Sequence, residues 1–322
     1  MRSRDEGPYF DDLSVGDVLE TAPSTTLTQG RAAVHQSILG SRLRLPLDEH
    51  LSRAVTGSAL ADPSFVWDVA IGQSTQVTRR VIANLFYRGL AFHRATAIGD
   101  TLHTRTEVVG LRQNSSRPSG LAALRVTTRD QEDRVVLDFW RCAMLPLSSP
   151  TVQTGHADDL DSIGGAADFS AIATAVAGWD LDRLPFSAAG SIAVGDAWEL
   201  HAGDVVSSAP ELARLTLNLA RVHHDGRSQP TGRLVYGGHT IGLALAQVTK
   251  TLPDLITVAG WHGCDHTGPV HEGDTLASAI TVESVDPAGD RLRLVHLRVR
   301  VLAHRAQGAD EVLDWRPVLL SR

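Results

Sequence analysis

Apolar and polar positions follow two different periods along the chain. Runs of alternating residues rich in β-branched side chains, typical of strands with one buried face, occur in two groups of four. Each group follows two helical stretches, and the last of these is apolar nearly all round, as expected of a buried helix. The pattern predicts helices at 32–39, 63–71, 211–223 and 239–252. It predicts strands at 81–86, 101–111, 121–128, 135–145, 255–261, 275–285, 292–301 and 311–320.

The same order of elements occurs twice because the chain carries an internal duplication. Three short segments recur: Val-Gly-Asp at 15–17 and 194–196, Gly-Asp-Thr-Leu at 99–102 and 273–276, and Val-Leu-Asp at 136–138 and 312–314. The offsets are 179, 174 and 176 residues. Three matches in one order at nearly one spacing indicate two copies of one domain.

The duplicated pattern predicts an α+β fold of two tandem hotdog domains, a double hotdog. Each domain is expected to have a long central helix wrapped by an antiparallel sheet. We assign 1–147 to an N-terminal hotdog, 148–187 to a linker and 188–322 to a C-terminal hotdog. Small and polar residues dominate the start of the linker, so we expect an exposed connector with one short helix near 169–177.

Net charge, cysteine count and the lack of long apolar segments limit the binding partners and the cellular compartment that we expect. The chain has 322 residues, a net charge of −7 and two cysteines. An acidic balance argues against nucleic acid and anionic membranes as partners. Two cysteines are too few for a disulfide framework and favour a reducing compartment. With no apolar signal segment at the N-terminus and no run of about 20 apolar residues, we expect a cytoplasmic protein.

The two halves differ in the segment where the second half carries its candidate functional residues. At 218–223 it reads Asn-Leu-Ala-Arg-Val-His, whereas the first half has Ser-Arg-Leu-Arg-Leu-Pro at 41–46. If the helix ends near Ala220, a turn could bring Asn218 and His223 into one cleft. Gly237 and Gly238 then open the buried helix, and free N–H groups at a helix N-terminus can hold an oxyanion.

At these positions the chain resembles the MaoC-like hotdog hydratases, whose motif is Asp-x-Asn-Pro-x-His followed by a glycine-containing helix start. His223 matches the motif histidine, whereas Asn218 replaces the aspartate and Ala220 the asparagine. The chain is more similar to the mesaconyl-CoA hydratase (β-methylmalyl-CoA dehydratase) branch. That similarity lies in Asn-x-Ala-x-Val-His, Arg-Leu-Val-Tyr-Gly-Gly-His, the Gly-Asp-Thr-Leu segments and the Val-Leu-Asp-aromatic strands, and it covers nearly the whole chain outside the linker.

The resemblance implies a hydro-lyase that reversibly hydrates the α,β double bond of a short, branched or carboxylated enoyl-CoA, with no cofactor. It implies His223 as the general base and Asn218 as the group that orients water or the imidazole. Gly237 and Gly238 would hold the thioester oxyanion. The expected substrate-binding residues are Arg233, as a clamp for a carboxylate, together with His239 and His266. The first half would help to form the acyl-CoA tunnel.

Alternative readings stay open at several positions. His223 could be a histidine favoured by a helix C-terminus, Asn218 a helix-end residue and Arg233 a surface arginine. His262, Cys264 and His266 would share one face of a strand and suggest a metal site, but no second ligand pair has recognisable spacing, so we expect no metal.

The function also has alternatives. The substrate could be bound to a carrier protein, the chain could be a thioesterase, or it could be a non-catalytic acyl-thioester binding module. Asp265 departs from the branch and could alter substrate choice. Either a monomer or a homodimer is compatible with the duplication.

Overall fold

The computed structural model describes residues 7–185, 192–227 and 232–322. The elements of the first half are four helices and six strands. The helices are α1 (Gln29–Leu39), α2 (Arg44–Leu47), α3 (Glu49–Thr56) and α4 (Pro63–Ser74). The strands are β1 (Val18–Leu19), β2 (Thr25–Thr26), β3 (Ala83–Phe92), β4 (Thr101–Gln113), β5 (Ser119–Arg129) and β6 (Val135–Pro146).

One helix of the connecting segment and the elements of the second half follow. The helices are α5 (Ser170–Ala177), α6 (Ala209–Leu215) and α7 (Gly237–Thr251). The strands are β7 (Ala197–Glu199), β8 (Asp204–Val205), β9 (Leu255–Asp265), β10 (Thr275–Pro287), β11 (Arg293–Arg305) and β12 (Gly308–Ser321). None of the helices in the described ranges is long and apolar enough to cross a membrane.

The described strands form one antiparallel sheet that runs through both halves. Its main path has the order β1-β4-β5-β6-β3-β9-β12-β11-β10-β7, with β2 also paired to β4 and β8 to β10. The halves join where β3 pairs with β9, with Tyr87 opposite Cys264 and Leu90 opposite Trp261. Each half therefore contributes a wrapped sheet of its own, and the seam between them consists of main-chain hydrogen bonds.

The central helices α4 and α7 lie inside this sheet because nearly every residue on them is apolar or small. All of α4 is buried, and α7 is buried from Gly238 to Thr249. Trp67 of α4 packs edge-on against Trp261 and Trp315 of the second half, with ring centroids 5.2 and 6.3 Å apart. The two halves thus share one apolar core as well as one sheet.

The eight long strands and the two central helices confirm the secondary structure predicted from the period of apolar positions, with ends that extend by a few residues. The predicted helix at 211–223 is wrong in its length. Helix α6 ends at Leu215, and Leu217 has left-handed backbone (φ 62°), so the chain leaves the helix before Asn218. Two short helices of the first half, α2 and α3, were absent from the prediction.

The connector between the halves is more buried than expected. The predicted short helix is confirmed as α5, but Ile172 and Val176 on it are buried in the shared core, so this part is not an exposed linker. Leu160 and Leu181 are buried as well. The proposed domain boundary between residues 187 and 188 lies outside the described residues, and the division into 1–147, 148–187 and 188–322 stays a prediction.

Candidate active site

A cavity of about 400 Å³ lies between the two halves and is lined by residues from both. The first half contributes the end of α4, the loop that follows it, and strands β3 and β6, including Thr78, Tyr87 and Arg141. The second half contributes the segment after α6, the start of α7 and the residues after β9. No single half encloses this space, so its chemistry depends on both.

Asn218 is held at the cavity wall by its own backbone turn. Its Oδ1 accepts a hydrogen bond from the Ala220 N–H at 2.9 Å, and its carbonyl oxygen accepts one from Nε2 of His224 at 2.6 Å. The segment lies directly against Gly72 of α4, where a side chain would overlap the backbone of Thr216. Because Oδ1 is engaged, the Nδ2 amide is the part of Asn218 that can serve a ligand.

His223 closes a single turn of 3-10 helix and lines the same cavity. Its Nδ1 lies 2.9 Å from the carbonyl oxygen of Leu234. A carbonyl oxygen only accepts, so Nδ1 carries the hydrogen and Nε2 keeps a lone pair. The ring packs edge-on against Tyr236 at 5.8 Å. Burial, with smaller effects of His224, Arg141 and His266, lowers the pKa of His223 to about 4.

The N-terminus of α7 and His266 form another part of the cavity wall. Tyr236 precedes the helix without capping it by a side-chain hydrogen bond, so the first amides of the helix are left for other acceptors. Gly237 lines the cavity, and the ring of His266 packs against it. Nε2 of His266 is buried without a hydrogen-bond partner among the described residues, and burial lowers the pKa of His266 to about 4.

The structure therefore brings His223, Asn218, Gly237 and His266 together, while three other predicted site residues lie elsewhere. Gly238 is behind the wall, against the carboxyl group of Asp68 and the ring of Tyr236. Arg233 forms an ion pair with Glu272 and does not line the cavity. His239 is fully buried within α7 and also does not line it. The functional roles assigned to all seven residues stay predictions.

The arrangement of His262, Cys264 and His266 on one face of a strand, which suggested a metal site, does not form. A bulge in the pairing of β9 with β12, between Trp261 and Cys264, places His262 on the exposed face and Cys264 on the buried one. The prediction that His262 and Cys264 share a face is therefore wrong. Among the residues that the structure describes, no group of three His, Cys, Asp or Glu side chains could hold a metal ion.

Asp265 lies at the seam of the sheet rather than at the cavity. It is opposite Asp314 on β12 and Phe86 on β3, and it does not line the cavity. Burial, with the nearby charge of Asp314, raises the pKa of its carboxyl group.

A buried chain of hydrogen bonds, which could not be predicted from the sequence, supports the site from the first half. Tyr236 donates to Oδ1 of Asp68 at 3.0 Å, and Oδ2 of Asp68 lies 2.9 Å from Nε2 of His35. All three side chains are at most 2 % exposed. Burial raises the pKa of Asp68, despite the opposing effect of His35. Tyr236 is the member of this chain that lines the cavity and contacts His223.

Arg141 and Tyr87, also from the first half, were missed as well. Both side chains are buried and both line the cavity. Tyr87 packs edge-on against His266 at 5.8 Å. On the sequence, Arg141 is one polar position in an alternating strand, and that pattern alone does not distinguish an arginine that faces solvent from one that faces a cavity.

The comparisons with known proteins agree with this architecture. No family model matches the chain. Among curated proteins, it is 29 % identical to the β-methylmalyl-CoA dehydratase of Chloroflexus aurantiacus, over 92 % of this chain and 88 % of that protein. It is 27 % identical to the mesaconyl-CoA hydratase of Cereibacter sphaeroides, over 89 % of this chain and 88 % of that protein.

Two solved structures match nearly end to end. A conserved hypothetical protein from Mycobacterium tuberculosis, described as having a double hotdog fold, is 52 % identical, with a TM-score of 0.90, over 99 % of this chain and all of the other. A MaoC domain protein dehydratase from Chloroflexus aurantiacus is 25 % identical, with a TM-score of 0.84, over 100 % of this chain and 99 % of that one. The double hotdog prediction is confirmed: the chain belongs to the double-hotdog proteins, and MaoC-like hydro-lyases are among its relatives.

Proposed function

We propose that the protein reversibly hydrates the α,β double bond of a short enoyl-CoA whose acyl group is branched or carboxylated, as in mesaconyl-CoA. The observation that carries the proposal is the state of His223. Its Nδ1 hydrogen is engaged by the carbonyl of Leu234, and its other nitrogen remains a base on the wall of a cavity between the halves. The names of both curated relatives refer to this reaction on acyl-CoA thioesters.

In the proposed hydration, Nε2 of His223 takes a proton from water as the water oxygen bonds to the β-carbon. The π electrons move to the α-carbon and the thioester carbonyl, so an enolate oxygen develops. The amides at the start of α7, at Gly237, stabilise that oxygen. The protonated His223 then donates its proton to the α-carbon, which restores the neutral base.

Asn218 has a positioning role in this scheme. An amide cannot act as a base, but the Nδ2 group of Asn218 can donate a hydrogen bond to the attacking water. The Asx-type turn that occupies its Oδ1 supports this orientation. A second, more open cavity of about 410 Å³ is also lined by Asn218 and is a candidate path for the arm of the thioester.

Both cysteines are buried and free, which supports the proposal that the enzyme works in the reducing cytoplasm. We propose that it works as a monomer or a homodimer.

The test is hydration of mesaconyl-CoA and of crotonyl-CoA, followed by the loss of enoyl-thioester absorbance. We expect turnover by the wild-type protein, and a loss of about 10²–10⁴-fold in kcat/KM for His223→Ala. His201→Ala, which removes an exposed histidine, is the matched control and should keep full activity. Binding of the thioester without turnover would support a non-catalytic module instead, and turnover of only a carrier-bound thioester would replace CoA in the proposal.

A further inference from the structure

Arg141 is a buried cation that the proposed reaction does not use. Its side chain is 3 % exposed, although it lies on β6 of the half that lacks the histidine. Nη1 donates to the hydroxyl of Ser74 at 2.9 Å and Nη2 donates to that of Thr78 at 2.7 Å. Nε is buried and has no hydrogen-bond partner among the described residues. A guanidinium has five N–H donors, so these two bonds leave most of its capacity unused.

No carboxylate in the described part of the chain forms an ion pair with Arg141. The buried carboxyl group that supports the cavity wall belongs to Asp68, and its two oxygens are occupied by Tyr236 and His35. Buried charges are ordinarily paired, because an uncompensated charge away from water is strongly unfavourable. Arg141 also lines the cavity, so a ligand can supply the missing negative charge.

We propose that Arg141 binds the carboxylate of a dicarboxylic acyl thioester, which makes the first half the part of the enzyme that selects the substrate. The inference rests on the proposed function and deepens it. A carboxylate matches the planar fork of a guanidinium in two parallel hydrogen bonds. The two hydroxyls that hold Arg141 would fix the orientation of that fork.

The location of Arg141 also indicates where the carboxylate lies on the substrate. His223 and Arg141 line one cavity, and the positive charge of Arg141 is among the effects that lower the pKa of His223. A carboxylate bound by Arg141 therefore lies on the acyl chain near the β-carbon that His223 serves. Arg233, the earlier candidate for this role, is already paired with Glu272 and is off the wall.

The experiment measures binding rather than turnover, so that it does not depend on catalysis. Methylsuccinyl-CoA and 2-methylbutyryl-CoA are saturated and cannot be hydrated. They differ at one group, because 2-methylbutyryl-CoA has a methyl group where methylsuccinyl-CoA has its carboxylate. We expect calorimetry to show that the wild-type protein and His223→Ala each bind methylsuccinyl-CoA at least about 30-fold more tightly than 2-methylbutyryl-CoA. Arg141→Gln should reduce this preference to less than about threefold, which is about 0.7 kcal/mol at about 1.4 kcal/mol per tenfold.

Arg117→Gln removes an exposed arginine and is the matched control, with the preference expected to stay. A wild-type protein without preference, or a preference that survives Arg141→Gln, would overturn the inference while leaving hydration by His223 intact. If Arg141→Gln does not fold, the wild-type protein decides. Loss of tight binding when the carboxylate of methylsuccinyl-CoA is converted to its methyl ester supports the inference, and tight binding of the ester overturns it.

Discussion

The two central helices have the same place in the fold but begin in opposite ways. Helix α4 is capped by Asp62, whose Oδ1 accepts from the Ser64 N–H at 2.8 Å, and its first residue, Pro63, has no N–H to offer. Helix α7 begins at Gly237 without a side-chain cap. The first helix therefore satisfies its own N-terminus with a carboxylate, whereas the second leaves its amides available to an oxyanion.

In the proposed scheme, the first half therefore differs from the second at more than the missing histidine. An enolate oxygen could not bind at the start of α4, because the side chain of Asp62 already occupies that position. The first half contributes other side chains instead: Tyr87 and Arg141 line the cavity, and Asp68 supports its wall through Tyr236. Duplication within one chain has allowed the halves to specialise while one cavity serves both.

The strongest way to break this arrangement is Asp68→Ala, which removes the centre of the hydrogen-bond chain between the halves. The change leaves the hydroxyl of Tyr236 and the ring of His35 buried without their partner. We expect the free energy of unfolding to fall by about 3–5 kcal/mol, as for other broken buried pairs. Urea unfolding measures the change, and Asp290→Ala, at an exposed carboxylate, should alter it by less than about 0.5 kcal/mol. Equal effects of the two variants would contradict the role given to Asp68.

The second prediction compares the second residue of each central helix. A Cβ at Gly238 of α7 would overlap the Asp68 carboxyl group and the Tyr236 ring, so Gly238→Ala should destabilise the protein by about 1–3 kcal/mol. Ser64→Ala in α4 removes one hydroxyl and should cost about 1 kcal/mol or less. Thermal unfolding of both variants measures the difference, and a harmless Gly238→Ala would show that α7 can move away from Asp68.

The third prediction concerns pH and has the smallest expected effect. His223 is a base only when neutral, and with its pKa lowered to about 4 it is neutral above that pH. We expect kcat/KM to change by less than about threefold between pH 7 and pH 5, whereas a histidine with an ordinary pKa would lose about 20-fold. An acid limb near pH 6.5 in the pH–rate profile would show that His223 is less buried in solution.

The same histidine also affects stability, with a definite sign. The unfolded chain binds a proton on His223 below about pH 6.5, and the folded protein binds it only near pH 4. Folding stability therefore falls as the pH decreases through that window. Initial rates, measured before the protein unfolds, separate this loss from the titration of the base.

The long elements could be predicted from the sequence because their signals are local. Alternation over more than ten residues defines strands such as β4 and β11, and an apolar run defines α7. His223, Asn218 and Gly237 could also be found, since they lie within twenty residues of one another on the segment where the two halves differ. Their placement in one cavity depends on the left-handed backbone of Leu217. This turn could not be predicted from the sequence, because leucine rarely adopts a left-handed conformation.

The remaining site residues could not be predicted because distant segments create their environments. Asp68 and Tyr236 are 168 positions apart, and Arg141 has meaning only in relation to a cavity that the other half completes. The prediction that Arg233 binds a substrate carboxylate did not include its ion pair with Glu272, because Glu272 lies 39 residues away in sequence. A bulge in β9 likewise changed which side chains share a face, and such irregularities break the period of two from which faces are inferred.

The two edges of the sheet affect the tendency of the protein to aggregate at high concentration. Strand β4 is bordered by β1 and β2, and strand β10 by β7 and β8, each only two or three residues long. A long open border would template further strands from other molecules and promote aggregation. Segments this short offer few unpaired main-chain groups of their own, so where they border the described sheet they are poor templates for a strand of another molecule.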